Sequence, residues 1–354
     1  MKKLFLASAA FLLTSSAAMA QSGTFQLKAN LKNLGDTIIV HKGRGEKRDT
    51  ILVKKDKFTY TANLDAPKSL LFAQPALFRG QDAEAFQLVC VPGENATLTG
   101  DVKAHYDISG SNFYKQYQDV NLMQEALVAE REKAERENSS ISGDVFDQKV
   151  LSFIAQHPAN EASAITISYL NSLEHMEKAV GLLAEPVRNG RMRAYYEPIV
   201  ARAKARKEAD DKAKIVQAAG VEASDFTLKD IKGNDFTLSS LRGKYVILDF
   251  WGSWCIWCIK GMPKMKEYYE KYKGKFEIVG IDCNDSDAKW KAAVEKYQLP
   301  WIHVYNPKTS DVLGKYAIQG FPTKIVVGPD GKIVKTIVGE DPAFYTFIDD
   351  TFGK

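Results

Sequence analysis

Residues 250–264 read FWGSWCIWCIKGMPK. This stretch holds Cys255 and Cys258, two of the chain's 4 cysteines, among Trp251, Trp254 and Trp257. Just upstream, YVILDFW is an almost unbroken apolar run of the kind found in a strand buried on both faces. Just downstream, KMKEYYEKYK has helical periodicity. The CxxC pair therefore stands where a buried strand gives way to a helix. Three chemistries fit such a pair: a redox dithiol, half of a metal site, or a structural staple.

Outward from this point, the chain after Gly220 alternates short apolar runs with helical ones. FEIVGID is a second buried-type strand and DAKWKAAVEKY a second helix. IHVY, TKIVV and KIVKTIV follow, the last two joined by GPDG, a hairpin turn signal, and a final helix is predicted to start near Pro342. Alternation of this kind is the signature of an α/β domain. Residues 220–354 are read as that domain.

The rest of the chain has other periods. In residues 21–110, FQLKANL alternates strictly, with Phe25, Leu27, Ala29 and Leu31 on one face. TIIV, DTILV, KFTYTA, FQLVCV and ATLTG follow between turn residues, which predicts an antiparallel β domain with one packed face. Residues 111–219 are read as helical. Phe113, Tyr117, Val120, Met123 and Leu127 recur at helical spacing, and SSISGD ends that helix. Further helices are expected over 144–156, 159–173 and 188–219. In the last, RAKARKEADDKAKI interleaves acids with bases, as a solvated helix or spacer does.

The chain opens MKKLFLASAAFLLTSSAAMA, with two lysines, an apolar run and an A-x-A end. This predicts a secretory signal peptide over residues 1–20, cleaved before Gln21, and so an exported, periplasmic protein in which disulfides can form. The apolar run is too short to span a bilayer. Loss of Lys2 and Lys3 takes the formal charge from +4 to about +2, a balance that points to neither nucleic acid nor an acidic partner.

Residues from about Val221 to Lys354 resemble the TlpA-like family of exported thioredoxin-fold thiol-disulfide oxidoreductases. The resemblance rests on DFTLKDIKGNDFTLSSLRGKYVILDFWGSWC, on GMP after the cysteines, and on IQGFPTKIVVGPDGKIV, which matches the family's cis-proline loop and hairpin. It implies a thioredoxin fold for the α/β domain. The N-terminal β region resembles more loosely a small domain of unassigned function, fused to such modules in Bacteroidetes-type bacteria.

At the start of a helix, unpaired N–H groups and the dipole favour a thiolate, so Cys255 is expected to be the attacking thiol. Cys258, one turn on, would then resolve the mixed disulfide. Asp249, in a buried strand, should have a raised pKa. By its match to thioredoxin's buried aspartate it would take the Cys258 proton, although a structural acid capped by backbone donors is the alternative. Pro322 matches the family's cis-proline, which would present Phe321 backbone groups to an extended partner chain. Trp254 and Trp257 are read as apolar rim, Trp251 as core, and Pro263 as a helix kink.

Zinc would want four ligands, and the remaining cysteines, Cys90 and Cys283, stand alone and are read as buried free thiols. No metal or cofactor is expected. Between the cysteines stand Ile256 and Trp257, where relatives usually carry a proline before the second cysteine, and these supply no device for a strongly oxidising site. The expected function is an exported reductase of protein disulfides. It would serve client thiols and disulfides and draw electrons from an upstream membrane or periplasmic donor. A thiol peroxidase and a non-catalytic surface-binding module are the alternatives. Against the peroxidase, Gly252 stands where peroxidases of this fold place a threonine.

Overall fold

The computed structural model describes residues 22–353, so the expected signal peptide and its cleavage site lie outside the described residues. The chain divides between Lys204 and Ala205 into two compact units.

The first unit opens with eight strands: β1 Gly23–Lys32, β2 Thr37–His41, β3 Asp49–Leu52, β4 Lys57–Leu64, β5 Lys68–Ala73, β6 Ala85–Cys90, β7 Asn95–Asp101 and β8 Tyr106–Gly110. They form two four-stranded sheets, in the orders β4-β1-β7-β8 and β3-β2-β5-β6. Phe25, Leu27, Ala29 and Leu31 of β1 are all buried, as the alternation predicts. Every neighbouring pair is antiparallel except β1 with β7, which run parallel. That exception is set by pairing across about 70 residues, far outside the reach of any local pattern.

Helices α1 Asn112–Arg136, α2 Gly143–Gln156, α3 Leu173–Leu182 and α4 Glu185–Arg188 follow, then α5 Arg193–Val216, whose residues fall on both sides of the Lys204–Ala205 division. Strands and helices of this unit share one hydrophobic core, from Phe25 to Tyr196. Two of the expected helices are broken. Over 159–173 the chain forms a 3-10 stretch, Glu161–Tyr169, and turns extended at Leu170 before α3. The buried Asp147 carboxylate fixes that turn by accepting from Asn171 N and Nδ2 and from His175 Nδ1. The expected 188–219 helix starts only at Arg193, because the chain folds tightly at Gly190, where a Cβ would meet Pro186 O at 2.5 Å. The charged part of α5 is a solvated helix with the ion pairs Arg193–Glu197 and Lys207–Asp211.

The second unit carries β9 Thr227–Asp230, β10 Asp235–Thr237, β11 Tyr245–Trp251, α6 Ile256–Lys271, β12 Phe276–Asp282, α7 Asp287–Tyr297, β13 Ile302–Tyr305, α8 Val312–Lys315, β14 Thr323–Val327, β15 Ile333–Val338 and α9 Pro342–Phe352. One seven-stranded sheet runs β10-β9-β13-β12-β11-β14-β15. Its centre is parallel, β13-β12-β11, and the antiparallel hairpin β14-β15 completes it beyond β11. This is the thioredoxin fold. Side chains alternate between two faces. Ile247, Trp251, Ile278, Val326 and Ile337 pack with α6, α7 and α9, whereas Val246, Leu248, Phe250, Val279, Ile281 and Ile325 form the core of the other face.

Candidate active site

Strand β11 delivers the chain to the sheet's end, and Gly252–Trp254 turns it into α6. Two ties hold that turn. Ser253 N and Oγ donate to the Asp285 carboxylate at 2.6 and 2.8 Å, and Trp254 Nε1 donates to Cys283 O at 2.9 Å. Gly252 is required by close approach, since a Cβ there would collide with the Trp254 indole nitrogen and Cys283 O. Cys255 is the N-cap of α6, and its Sγ accepts from Cys258 N at 3.2 Å. The first turn of α6 thus directs an otherwise unpaired N–H at the Cys255 sulfur.

Cys255 and Cys258 form a disulfide. Both are only 5% exposed, so in this state neither is the more open, and what distinguishes them is the cap position. Around them the surface is apolar: Trp254, Ile256 and Trp257 are 52%, 61% and 59% exposed. Trp254 meets Phe321 edge-on with ring centroids 5.4 Å apart, and Phe321 also packs against the core cluster that holds both cysteines. Lys260 Nζ lies 4.6 Å from the Trp257 ring centroid. The Phe321–Pro322 bond is cis, and Pro322 O accepts from Gly339 N. Trp251 is buried core.

Asp249 is buried in β11, on the face whose neighbouring residues, Ile247 and Trp251, share a core cluster with Cys255 and Cys258. Its Oδ1 has no hydrogen-bond partner. Burial pushes its carboxyl up to about 6, Lys324 opposes the rise and Glu340 adds to it. Lys324, Asp249's antiparallel partner on β14, is itself buried and donates to Glu340 Oε2 at 2.8 Å. Tyr345 OH donates to Glu340 Oε1 at 2.7 Å.

Sequence reasoning passed over this group. The available signal was a lysine inside the apolar run TKIVV. It also passed over Asp282 and His303, buried on the same face, with no partner for either carboxylate oxygen or either ring nitrogen. Burial and the nearby Asp285 push Asp282 up to about 8, and burial pushes His303 down to about 4. Cys90 and Cys283 are free and buried, each thiol pushed up chiefly by burial, and Cys283 belongs to the opposite face of the sheet. Among the described residues, no group of three or more His, Cys, Asp or Glu could hold a metal ion.

A thioredoxin fold with a cysteine pair at the β11–α6 corner defines a thioredoxin-fold oxidoreductase. Residues 219–336 match the AhpC/TSA family model. Thiol-disulfide oxidoreductase ResA of Bacillus cereus is 39% identical over 122 residues, which are 34% of this chain and 70% of the relative. ResA of Bacillus subtilis is 34% identical over 121 residues, 34% of this chain and 67% of the relative. The crystal structure of the thioredoxin domain of a thiol-disulfide oxidoreductase from Bacteroides vulgatus has 36% identity and a TM-score of 0.36, and the match covers 38% of this chain and 98% of that one. The chain belongs to the ResA family of TlpA-like, thioredoxin-fold thiol-disulfide oxidoreductases. Among the described residues, no helix is long and apolar enough to cross a membrane.

Proposed function

We propose that the protein is an exported reductase of protein disulfides, with residues 220–354 as its catalytic domain. The observation that carries the reading is the Cys255 sulfur, placed at a helix N-cap and accepting the Cys258 N–H beneath an exposed apolar rim. In the reduced protein the Cys255 thiolate attacks one sulfur of a client disulfide. The other client sulfur leaves as a thiolate, and a Cys255–client mixed disulfide forms. Cys258 then passes its proton to the Asp249 carboxylate and attacks Cys255 Sγ. The second client sulfur leaves and the Cys255–Cys258 bond closes. Two electrons have passed from the dithiol to the client, and an upstream membrane or periplasmic donor restores the dithiol.

In this reading Trp254, Trp257 and Phe321 offer apolar contact to the client, and the Phe321–Pro322 loop lies alongside its extended chain. Export follows from the leader-like residues 1–20. The test is reduction of insulin by the dithiol form, with peroxide consumption as the contrast. Rapid insulin reduction with negligible peroxide turnover is expected, and the reverse would make the protein a thiol peroxidase. Cys258→Ala should trap the client as a stable mixed disulfide.

A further inference from the structure

A buried lysine is costly unless its charge has a partner and a reason to be there. Lys324 Nζ lies beneath the sheet's α6 face, with its side chain 2% exposed. Three features hold it. Glu340 accepts its hydrogen bond, Tyr345 OH fixes the other Glu340 oxygen, and the Phe344 ring centroid lies 5.4 Å from the ammonium. The helix above leaves room for this. Gly261, one turn after Cys258, carries no side chain, and a Cβ there would collide with the Glu340 carboxylate. The acid is thus admitted directly under the dithiol helix. Register sets the rest: Asp249 pairs with Lys324 on one side and with Gly280 on the other, and Gly280 in turn pairs with His303. Side chains paired directly across an antiparallel ladder stand about 5 Å apart at Cβ.

We propose that Lys324 and Glu340 are positioning residues for the resolving step. The Lys324 ammonium, held by Glu340, faces Asp249 across the sheet and keeps that carboxyl charged until it takes the Cys258 proton. The two act in opposite senses. Lys324 favours the Asp249 anion, and Glu340 holds that favour in check by sharing the ammonium. This inference rests on the role given to Asp249 above.

Other groups on this face of the sheet are Cys258 on α6, Tyr345 on α9 with Lys264 of α6 over its ring, Asp282 on β12 and His303 on β13. The two on β12 and β13 differ from Lys324 in finding no hydrogen-bond partner of their own. His303, pushed down to about 4, is neutral at working pH, and Lys324 is the cation whose charge favours the Asp249 anion.

The experiment measures the full chain's mixed-disulfide resolution rate from pH 5 to 9, alongside direct titration of Asp249 by its carboxyl carbon resonance. Lys324→Met should move both the Asp249 titration and the acidic limb of the rate profile upward by about 1–3 pH units, so that resolution is slow at pH 7 and recovers at pH 9. Glu340→Gln should move both downward. Equal-signed movement, or none, in either readout overturns the proposal, because a merely structural pair has no reason to move the resolution rate profile together with the Asp249 titration. Should Lys324→Met fail to fold, Glu340→Gln alone decides, with a downward shift supporting the proposal and anything else refuting it. Asp249→Asn separates the two levels. If it leaves resolution unchanged, the role of Asp249 itself fails. If it slows resolution while the other variants leave the Asp249 titration in place, only the present proposal fails.

Discussion

Replacing Asp249 with asparagine should stabilise the second unit, and only above a definite pH. The folded protein holds this carboxyl at about 6, against an ordinary 3.8, chiefly through burial. Between those values the native state binds a proton that the unfolded chain has released. As pH rises through that window the wild type therefore loses stability, and the loss is complete above pH 6. At about 1.4 kcal/mol per pH unit, a rise of about two units is worth about 3 kcal/mol. Asparagine, close in shape to the protonated acid, never suffers that loss. Asp249→Asn should match the wild type at pH 3.5 and exceed it by about 3 kcal/mol at pH 7.5.

The assay is denaturant unfolding of the oxidised full chain followed by tryptophan fluorescence. All 5 tryptophans, Trp251, Trp254, Trp257, Trp290 and Trp301, lie in the second unit, so the signal reports that unit alone. A stability difference that does not change between the two pH values would refute the reasoning. It would mean that Asp249 is solvated or paired in a way its unpartnered Oδ1 does not suggest.

In stopped-flow kinetics on a model disulfide, Asp249→Asn should leave the first attack nearly intact and slow resolution by roughly 10²–10⁴-fold. Alkylation of the reduced protein at neutral pH should label Cys255 first, as read by peptide mass mapping, and dominant labelling of Cys258 would reverse their assigned roles. A fragment of residues 205–354 should fold and keep dithiol-dependent insulin reduction, and a folded but inactive fragment would show that the first unit contributes to catalysis. Gly261→Ala places a methyl against the Glu340 carboxylate and should destabilise the second unit by about 1–3 kcal/mol in the same fluorescence assay.

The CxxC corner was legible from residues alone because everything that makes it is local. An apolar run long enough for one strand, a turn, two cysteines one helical turn apart and an amphipathic run lie within about 30 consecutive positions. The burial of Phe25, Leu27, Ala29 and Leu31 followed from period-two alternation for the same reason. The expected helices over 159–173 and 188–219 were misread for two different reasons, one distant in the chain and one local. Asp147, some 24 residues before Asn171, reaches across to cap a turn inside the first, and the tight fold at Gly190 interrupts the second.

By itself the sequence determined the thioredoxin-type order of strands and helices, the place of Cys255 and Cys258 at a strand–helix junction, and an acid in the strand behind them. Only the tertiary structure decided what surrounds that acid. Lys324 stands 75 positions from Asp249 in the chain and directly opposite it in the sheet, and Glu340 comes under α6 because Gly261 leaves the space. The parallel pairing of β1 with β7 is of the same kind. Periodicity is written into neighbouring residues, whereas register and charge contacts come from closing long loops, and a one-residue slip would turn each of these side chains to the opposite face of its sheet.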